Sequence, residues 1–123
     1  MIDKATLVIG ASTKPERYSN KAVKMLKKHN YPVLAYGNRA GEVDGIQIDT
    51  EVQQSWEVDT FTLYVGPKNQ GEILDLAKQL KPRRVIFNPG TENLAMEKAL
   101  NELDIQTTRA CTLVLLSTDQ YED

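Results

Sequence analysis

The 123-residue chain contains one cysteine, one histidine and one tryptophan. The lone cysteine, Cys111, has no partner for an internal disulfide, so the fold must rest on its core rather than on cross-links. One histidine with one cysteine also falls short of the usual His/Cys zinc sets, and no metal site is expected. No apolar run approaches the roughly 18 residues of a spanning helix, and no period of about 20 residues or more repeats. The opening MIDKATLVIG has only about five apolar residues before a glycine, too few for a secretory core, which makes the cytoplasm the expected compartment. An excess of charge of one sign is missing as well: 15 Lys and Arg face 17 Asp and Glu, a net charge of -2. Such a balance gives no overall field toward nucleic acid or an anionic membrane, so neither is an expected partner and any anion site must be local.

What is present is ordinary for a globular protein, 41% hydrophobic and 26% charged residues, in a length that fits one domain over residues 1–123. Ala5 to Ile9 is a short run of apolar and β-branched residues stopped by Gly10, the pattern of a strand covered on both faces. Ser19 stands where it would cap a helix with Ala22, Val23, Met25 and Leu26 on one side and lysines on the other. Pro32 to Tyr36 reads as a second strand. Ile46 and Ile48 alternate as in a short edge strand, and Thr50 to Trp56 has room for a helical turn or two. Phe61 to Val65 is the next strand, and Asn69 with Glu72 has capping-box spacing for a helix carrying Ile73, Leu76, Ala77 and Leu80. Arg84 to Phe87 is a strand, Met96, Ala99, Leu100 and Leu103 mark a helix, and Ile105 to Thr108 a last strand. Cys111 to Leu116 is apolar and fits strand or helix.

Strands alternating with amphipathic helices predict βαβ units, hence an α/β, Rossmann-like three-layer fold with a mostly parallel five- or six-stranded sheet. Open sheets of this kind bind ligands beyond the carboxyl ends of their strands, which singles out the loops at 10–19, 37–41, 66–69 and 88–93. In the first loop Gly10 allows a tight turn, Ser12 supplies a hydroxyl, and Lys14 and Arg17 supply charge before a helix N-terminus, a setting suited to phosphate. The loop has neither the G-x-G-x-x-G dinucleotide fingerprint nor a P-loop ending. After the second strand, where a protein selecting NAD places Asp or Glu, the chain has Asn38 and Arg39. An arginine there suits a ribose that carries a phosphate, as in coenzyme A or NADP.

Gly10-Ala11-Ser12, Asn38-Arg39, Val65-Gly66-Pro67, Asn88-Pro89-Gly90-Thr91-Glu92-Asn93 and Ala110-Cys111-Thr112, each following a strand, together resemble the stand-alone CoA-binding proteins. That family is itself similar to the CoA-binding domain of the succinyl-CoA synthetase alpha subunit, and the match runs in order and spacing along nearly the whole chain. The resemblance implies coenzyme A as ligand, with Gly10, Ala11 and Ser12 at its pyrophosphate and Asn38 and Arg39 at the phosphorylated ribose. It further implies that Val65, Gly66 and Pro67 form a shelf for adenine and that Asn88, Pro89 and Gly90 lie toward the pantetheine.

Catalytic machinery is thin. His29 falls at the far end of the first helix from these loops, where a cation serves the helix dipole. Cys111 among Leu113, Val114, Leu115 and Leu116 reads as buried and inert, Glu92 as a helix-start carboxylate, and Trp56 and Tyr64 as packing residues. The sequence therefore reads as a non-catalytic binder of coenzyme A or an acyl-CoA, acting as carrier, sensor or partner module, with a protein partner or a second copy as further candidates. The alternatives are an NADP-dependent or other nucleotide-using enzyme or enzyme subunit, and a structural module that binds no ligand.

Overall fold

Five consecutive buried residues, Ala5–Ile9 (β1), sit at the centre of the sheet because both of their faces are covered. The computed structural model describes residues 4–122. After β1 come α1 (Tyr18–Lys28), β2 (Val33–Tyr36), β3 (Gly41–Val43), β4 (Ile46–Asp49) and β5 (Val58–Leu63). A single 3-10 turn (Pro67–Asn69) precedes α2 (Ile73–Leu80), β6 (Arg84–Phe87), α3 (Leu94–Glu102), β7 (Gln106–Arg109) and α4 (Thr112–Ser117). The strands join in the order β3-β4-β2-β1-β5-β6-β7, parallel throughout except for the β3–β4 pair.

The period-two alternation of the strands divides the core. Leu7, Ile9, Phe61, Leu63, Val85 and Phe87 point toward Ile73, Leu76 and Ala77 of α2 and Leu100 of α3. Val8, Ala35, Ile48 and Ile86 point the other way, toward Val23 and Leu26 of α1 and Leu116 of α4. Helices thus cover both faces, and the fold is the Rossmann-like α/β architecture with a mostly parallel sheet. From β1 the chain winds one way to β2 and β4, and from β5 the opposite way to β6 and β7. The reversal lies between β1 and β5, and it places the Gly10 loop at the switch point.

Several local expectations are corrected. The sheet has seven strands among the described residues, because Gly41–Val43 pairs back on β4 across Asp44 and Gly45. Both turn residues have positive φ, 48° and 86°, the backbone of a tight Asp-Gly hairpin turn that the sequence spells out. Thr50 to Trp56 forms bends and one turn instead of a helix, since Val52 and Trp56 fold onto the α2-side core. The N-cap of α1 is Arg17, with Ser19 buried inside the helix, and the N-cap of α2 is Glu72, with Asn69 in the 3-10 turn; neither helix start has a side-chain capping bond. The strand expected over Phe61 to Val65 is shifted back to β5 and ends at Leu63. The ambiguous segment after Cys111 is helix α4, with Cys111 at its N-cap and half-buried rather than buried.

One anchor, Tyr121, lies outside every helix and strand and carries no periodic signal in the sequence. Tyr121, 1% exposed, closes the α1/α4 face from the end of the chain. Its hydroxyl bonds with the Thr6 hydroxyl, its ring meets the edge of Tyr31 at 4.8 Å, and the Arg84 guanidinium lies 4.4 Å over it. Arg84 is itself buried and donates from Nη2 to the Tyr121 carbonyl at 2.6 Å and from Nε to Thr60 Oγ1 at 2.9 Å. Next to it, Arg83 grips Asp59 with two bonds of 2.9 and 3.1 Å. Burial alone would raise the Asp59 carboxyl, but the bonds from Arg83 and Thr60 outweigh it and hold Asp59 below the ordinary carboxylate range.

Tyr121→Ala is expected to lower unfolding free energy by about 3–5 kcal/mol, the cost of emptying a packed aromatic site, read as a reduced urea midpoint. Because the folded-state pKa of Asp59 is depressed, its contribution is present above the ordinary value of 3.8 and is lost as pH falls through the lower, folded-state value. Asp59→Asn should flatten the stability-versus-pH curve in that acid window. An unchanged curve would show that Asp59 is not a source of the acid sensitivity.

Candidate functional site

At the switch point the C-terminal ends of β1, β2 and β5 open into a cleft of about 740 Å³, within the range of small-molecule sites. Its first wall is the loop after β1, Gly10 to Lys14 with Arg17. Gly10 has φ +95°, and a Cβ there would lie 3.0 Å from the Tyr64 carbonyl carbon and oxygen, so the chain turns here only without a side chain. The N–H groups of Gly10 and Ala11 both donate to the Tyr36 carbonyl, at 2.9 and 3.0 Å, which pins this loop to the end of β2. Buried Asn20 of α1 holds the loop from behind by donating from Nδ2 to the Ser12 carbonyl at 2.9 Å, and Ser12 Oγ accepts the Lys14 N–H at 3.1 Å. The α1 N-terminus beside the cleft has no side-chain cap and no acidic residue in its first turn. Its leading N–H groups and the positive end of its dipole are therefore left without a competing side-chain cap or first-turn carboxylate, an arrangement suited to an anion.

The second wall is Tyr36 to Arg39, and the third runs over Tyr64 and Val65 to Asn69, Gly71 and Glu72. Lys14, Arg17 and Arg39 oppose the single carboxylate of Glu72, so the lining is cationic although the chain as a whole carries -2. The Tyr36 hydroxyl donates to Glu72 Oε1 at 2.6 Å; that bond, with burial, pushes its pKa up to about 12. Burial pushes Tyr64 up to about 12 as well, and its hydroxyl is enclosed without a hydrogen-bond partner. Both phenols keep their protons at neutral pH.

Of the residues singled out by sequence, Gly10, Ala11, Ser12, Lys14, Arg17, Asn38, Arg39 and Val65 line this one cleft. Gly66, Pro67, Asn88, Pro89 and Gly90 lie outside its lining, at the same sheet edge. The Asn88 side chain is engaged within the protein: Nδ2 donates to Thr62 Oγ1 at 2.7 Å and the Leu63 carbonyl at 2.9 Å, and Oδ1 accepts the Thr112 N–H at 2.8 Å. The Gly90 N–H donates to Glu92 Oε1 at 2.8 Å, so Glu92 ties its own loop. Pro89 and Gly90 are exposed. His29 is the exposed C-cap of α1, at the opposite end of that helix from the cleft, and Trp56 packs against the α2-side core.

Sequence reasoning missed three contributors. In the sequence Tyr36 reads only as a strand end and Glu72 only as a capping residue. Gln70, 1% exposed, braces two loops by donating from Nε2 to the Val65 carbonyl at 3.1 Å and the Thr91 carbonyl at 2.7 Å, and no periodicity marks such a residue. Among the described residues no group of three or more His, Cys, Asp or Glu gathers to hold a metal ion, and no helix is long and apolar enough to cross a membrane.

A crystal structure of an uncharacterized protein is 42% identical, with a TM-score of 0.92 over 98% of this chain and 99% of that one. A hypothetical protein from Pyrococcus horikoshii OT3 is 26% identical, TM-score 0.85, over 94% of this chain and 82% of that one. The dinucleotide forming acetyl-coenzyme A synthetase 1 of Ca. Korarchaeum cryptofilum shares the fold at 17% identity and TM-score 0.71; 88% of this chain matches 26% of that one. No curated protein matches. The sequence model of the CoA binding domain matches residues 4–117, nearly the whole chain, and the protein therefore belongs to the CoA binding domain family.

Proposed function

We propose that the chain binds coenzyme A or an acyl-CoA in the switch-point cleft and acts as a non-catalytic cytoplasmic carrier, sensor or partner module. The observation that carries this reading is the convergence of Lys14, Arg17 and Arg39 with an uncapped helix N-terminus on one cleft of a CoA binding domain. Coenzyme A is strongly anionic at its nucleotide end, and a cationic cleft with free backbone donors suits that end.

In this reading Gly10 and Ala11 make room for the pyrophosphate by their lack of bulk, because their N–H groups are already engaged with Tyr36. Ser12 and the side chains of Lys14 and Arg17 supply the contacts. Asn38 and Arg39 face the phosphorylated ribose, and Val65 with Gly66 and Pro67 forms the adenine shelf. The segment Asn88, Pro89 and Gly90 borders the pantetheine through backbone and the Pro89 ring, the Asn88 amide being held inside. Coenzyme A brings its own reactive thiol. The chain's part is to bind and present it, since its cleft phenols stay protonated and His29 stands at the far end of α1.

Isothermal titration against coenzyme A, dephospho-CoA, NADP and NAD tests the proposal. The expected order has coenzyme A tightest, and binding of NADP without binding of coenzyme A would overturn it. Arg39→Ala should weaken coenzyme A by about 1–3 kcal/mol, the worth of a charge-assisted bond, and leave dephospho-CoA nearly unchanged. Equal losses on both ligands would remove the ribose-phosphate role. Lys14→Gln should behave differently, weakening both ligands alike, because both retain the pyrophosphate.

A further inference from the structure

A protein that recognises a free ribose hydroxyl in this fold commonly ends its second strand with Asp or Glu, which accepts a hydrogen bond from the sugar. Here β2 ends at Tyr36 and is followed by Gly37, Asn38 and Arg39, with no acid among them. A carboxylate nevertheless reaches the place. The Tyr36 hydroxyl donates to Glu72 Oε1 at 2.6 Å and so holds a side chain from the start of α2 against the end of β2. Tyr36, Glu72 and Arg39 line the same cleft.

Glu72 has no other structural duty that would account for this position. It is exposed, and although it occupies the N-cap of α2 its side chain makes no capping bond there. Its second oxygen, Oε2, accepts no hydrogen bond among the described residues. A lone carboxylate in a cationic cleft read as a phosphate site is repulsive toward the ligand unless it meets a donor, and among the described residues the only donor it meets is the Tyr36 phenol. The arrangement leaves one carboxylate oxygen fixed in orientation and open to a donor on the ligand.

We propose that Glu72, positioned by Tyr36, is a specificity residue of the cleft: it accepts a hydrogen bond from the unphosphorylated ribose hydroxyl of the ligand while Arg39 takes the phosphate on the adjacent sugar oxygen. This rests on the reading of the cleft as the coenzyme A site, and in coenzyme A the 3′-oxygen bears the phosphate and the 2′-hydroxyl is free. The pair Glu72 and Arg39 then reads the two sugar oxygens with opposite charge, one for a donor and one for an anion.

The test is titration of the full chain with coenzyme A and with 2′-deoxy-coenzyme A, in the unsubstituted protein, Glu72→Ala and Tyr36→Phe. Unsubstituted protein should prefer coenzyme A over the deoxy analogue by about ten-fold, as expected for a hydrogen bond to a charged acceptor. Glu72→Ala should lose that preference by weakening coenzyme A about ten-fold while leaving the deoxy analogue within about two-fold. Tyr36→Phe keeps the carboxylate but frees it, and should lower the preference part of the way. An undiminished preference in Glu72→Ala, equal loss on both ligands, or tighter binding of both would overturn the assignment while coenzyme A binding stands. If the unsubstituted chain binds no coenzyme A, the reading of the cleft falls, and this assignment with it. Far-UV circular dichroism of each variant separates loss of recognition from loss of fold.

Discussion

The cleft depends on how the chain leaves β1. A strand covered on both faces must deliver its loop to the sheet edge with no side chain at the turn, and Gly10 does so at φ +95° against the Tyr64 carbonyl. The Tyr36 carbonyl then receives two N–H groups, from Gly10 and Ala11, and fastens that loop to the neighbouring strand end. With that junction fixed, Ser12 and Lys14 stand beside the α1 N-terminus and Arg39 stands across from them. Buried Asn20 and Gln70 extend the same principle, each bonding loop carbonyls from within the core.

Charge is organised on a local scale. The chain is slightly acidic as a whole, and its lysines along α1 face solvent, yet three cationic side chains and one carboxylate border the cleft. Screening confines such a field to roughly a Debye length of about 8 Å at physiological ionic strength, so it acts on a ligand already at the sheet edge rather than steering from afar.

The βαβ pattern, the order of strong strands and helices, and the sheet edge that carries the cleft were legible because buried strands and amphipathic helices print their periods directly on the sequence. Strand and helix ends were less so. Ser19 and Asn69 have the composition of caps, but α1 and α2 begin without any side-chain cap, and α1 does so at the cleft. The Asp44-Gly45 turn is a local signal of a hairpin, and it adds the strand β3 at the sheet edge. Tyr121 and Gln70 could not have been found from spacing, since each acts through contacts distant in sequence: Tyr121 reaches Thr6 and Arg84, and Gln70 joins two loops. The cleft residues that were named fall on the loops after β1, β2 and β5; Tyr36 and Glu72 were missed because their roles arise from each other, 36 positions apart.

A second hollow, of about 410 Å³ between Lys78, Pro82 and Leu103, lies at the opposite edge of the sheet, where α2 and α3 end. It offers a direct contrast. Amide chemical shifts of the isotope-labelled chain, followed while coenzyme A is added, decide which edge receives the ligand. The account predicts movement of the Ser12, Thr13, Tyr18, Asn38 and Arg39 signals with those of Lys78, Lys81 and Leu103 left in place. Shifts concentrated on Lys78, Lys81 and Leu103, or none at saturating coenzyme A, would contradict it.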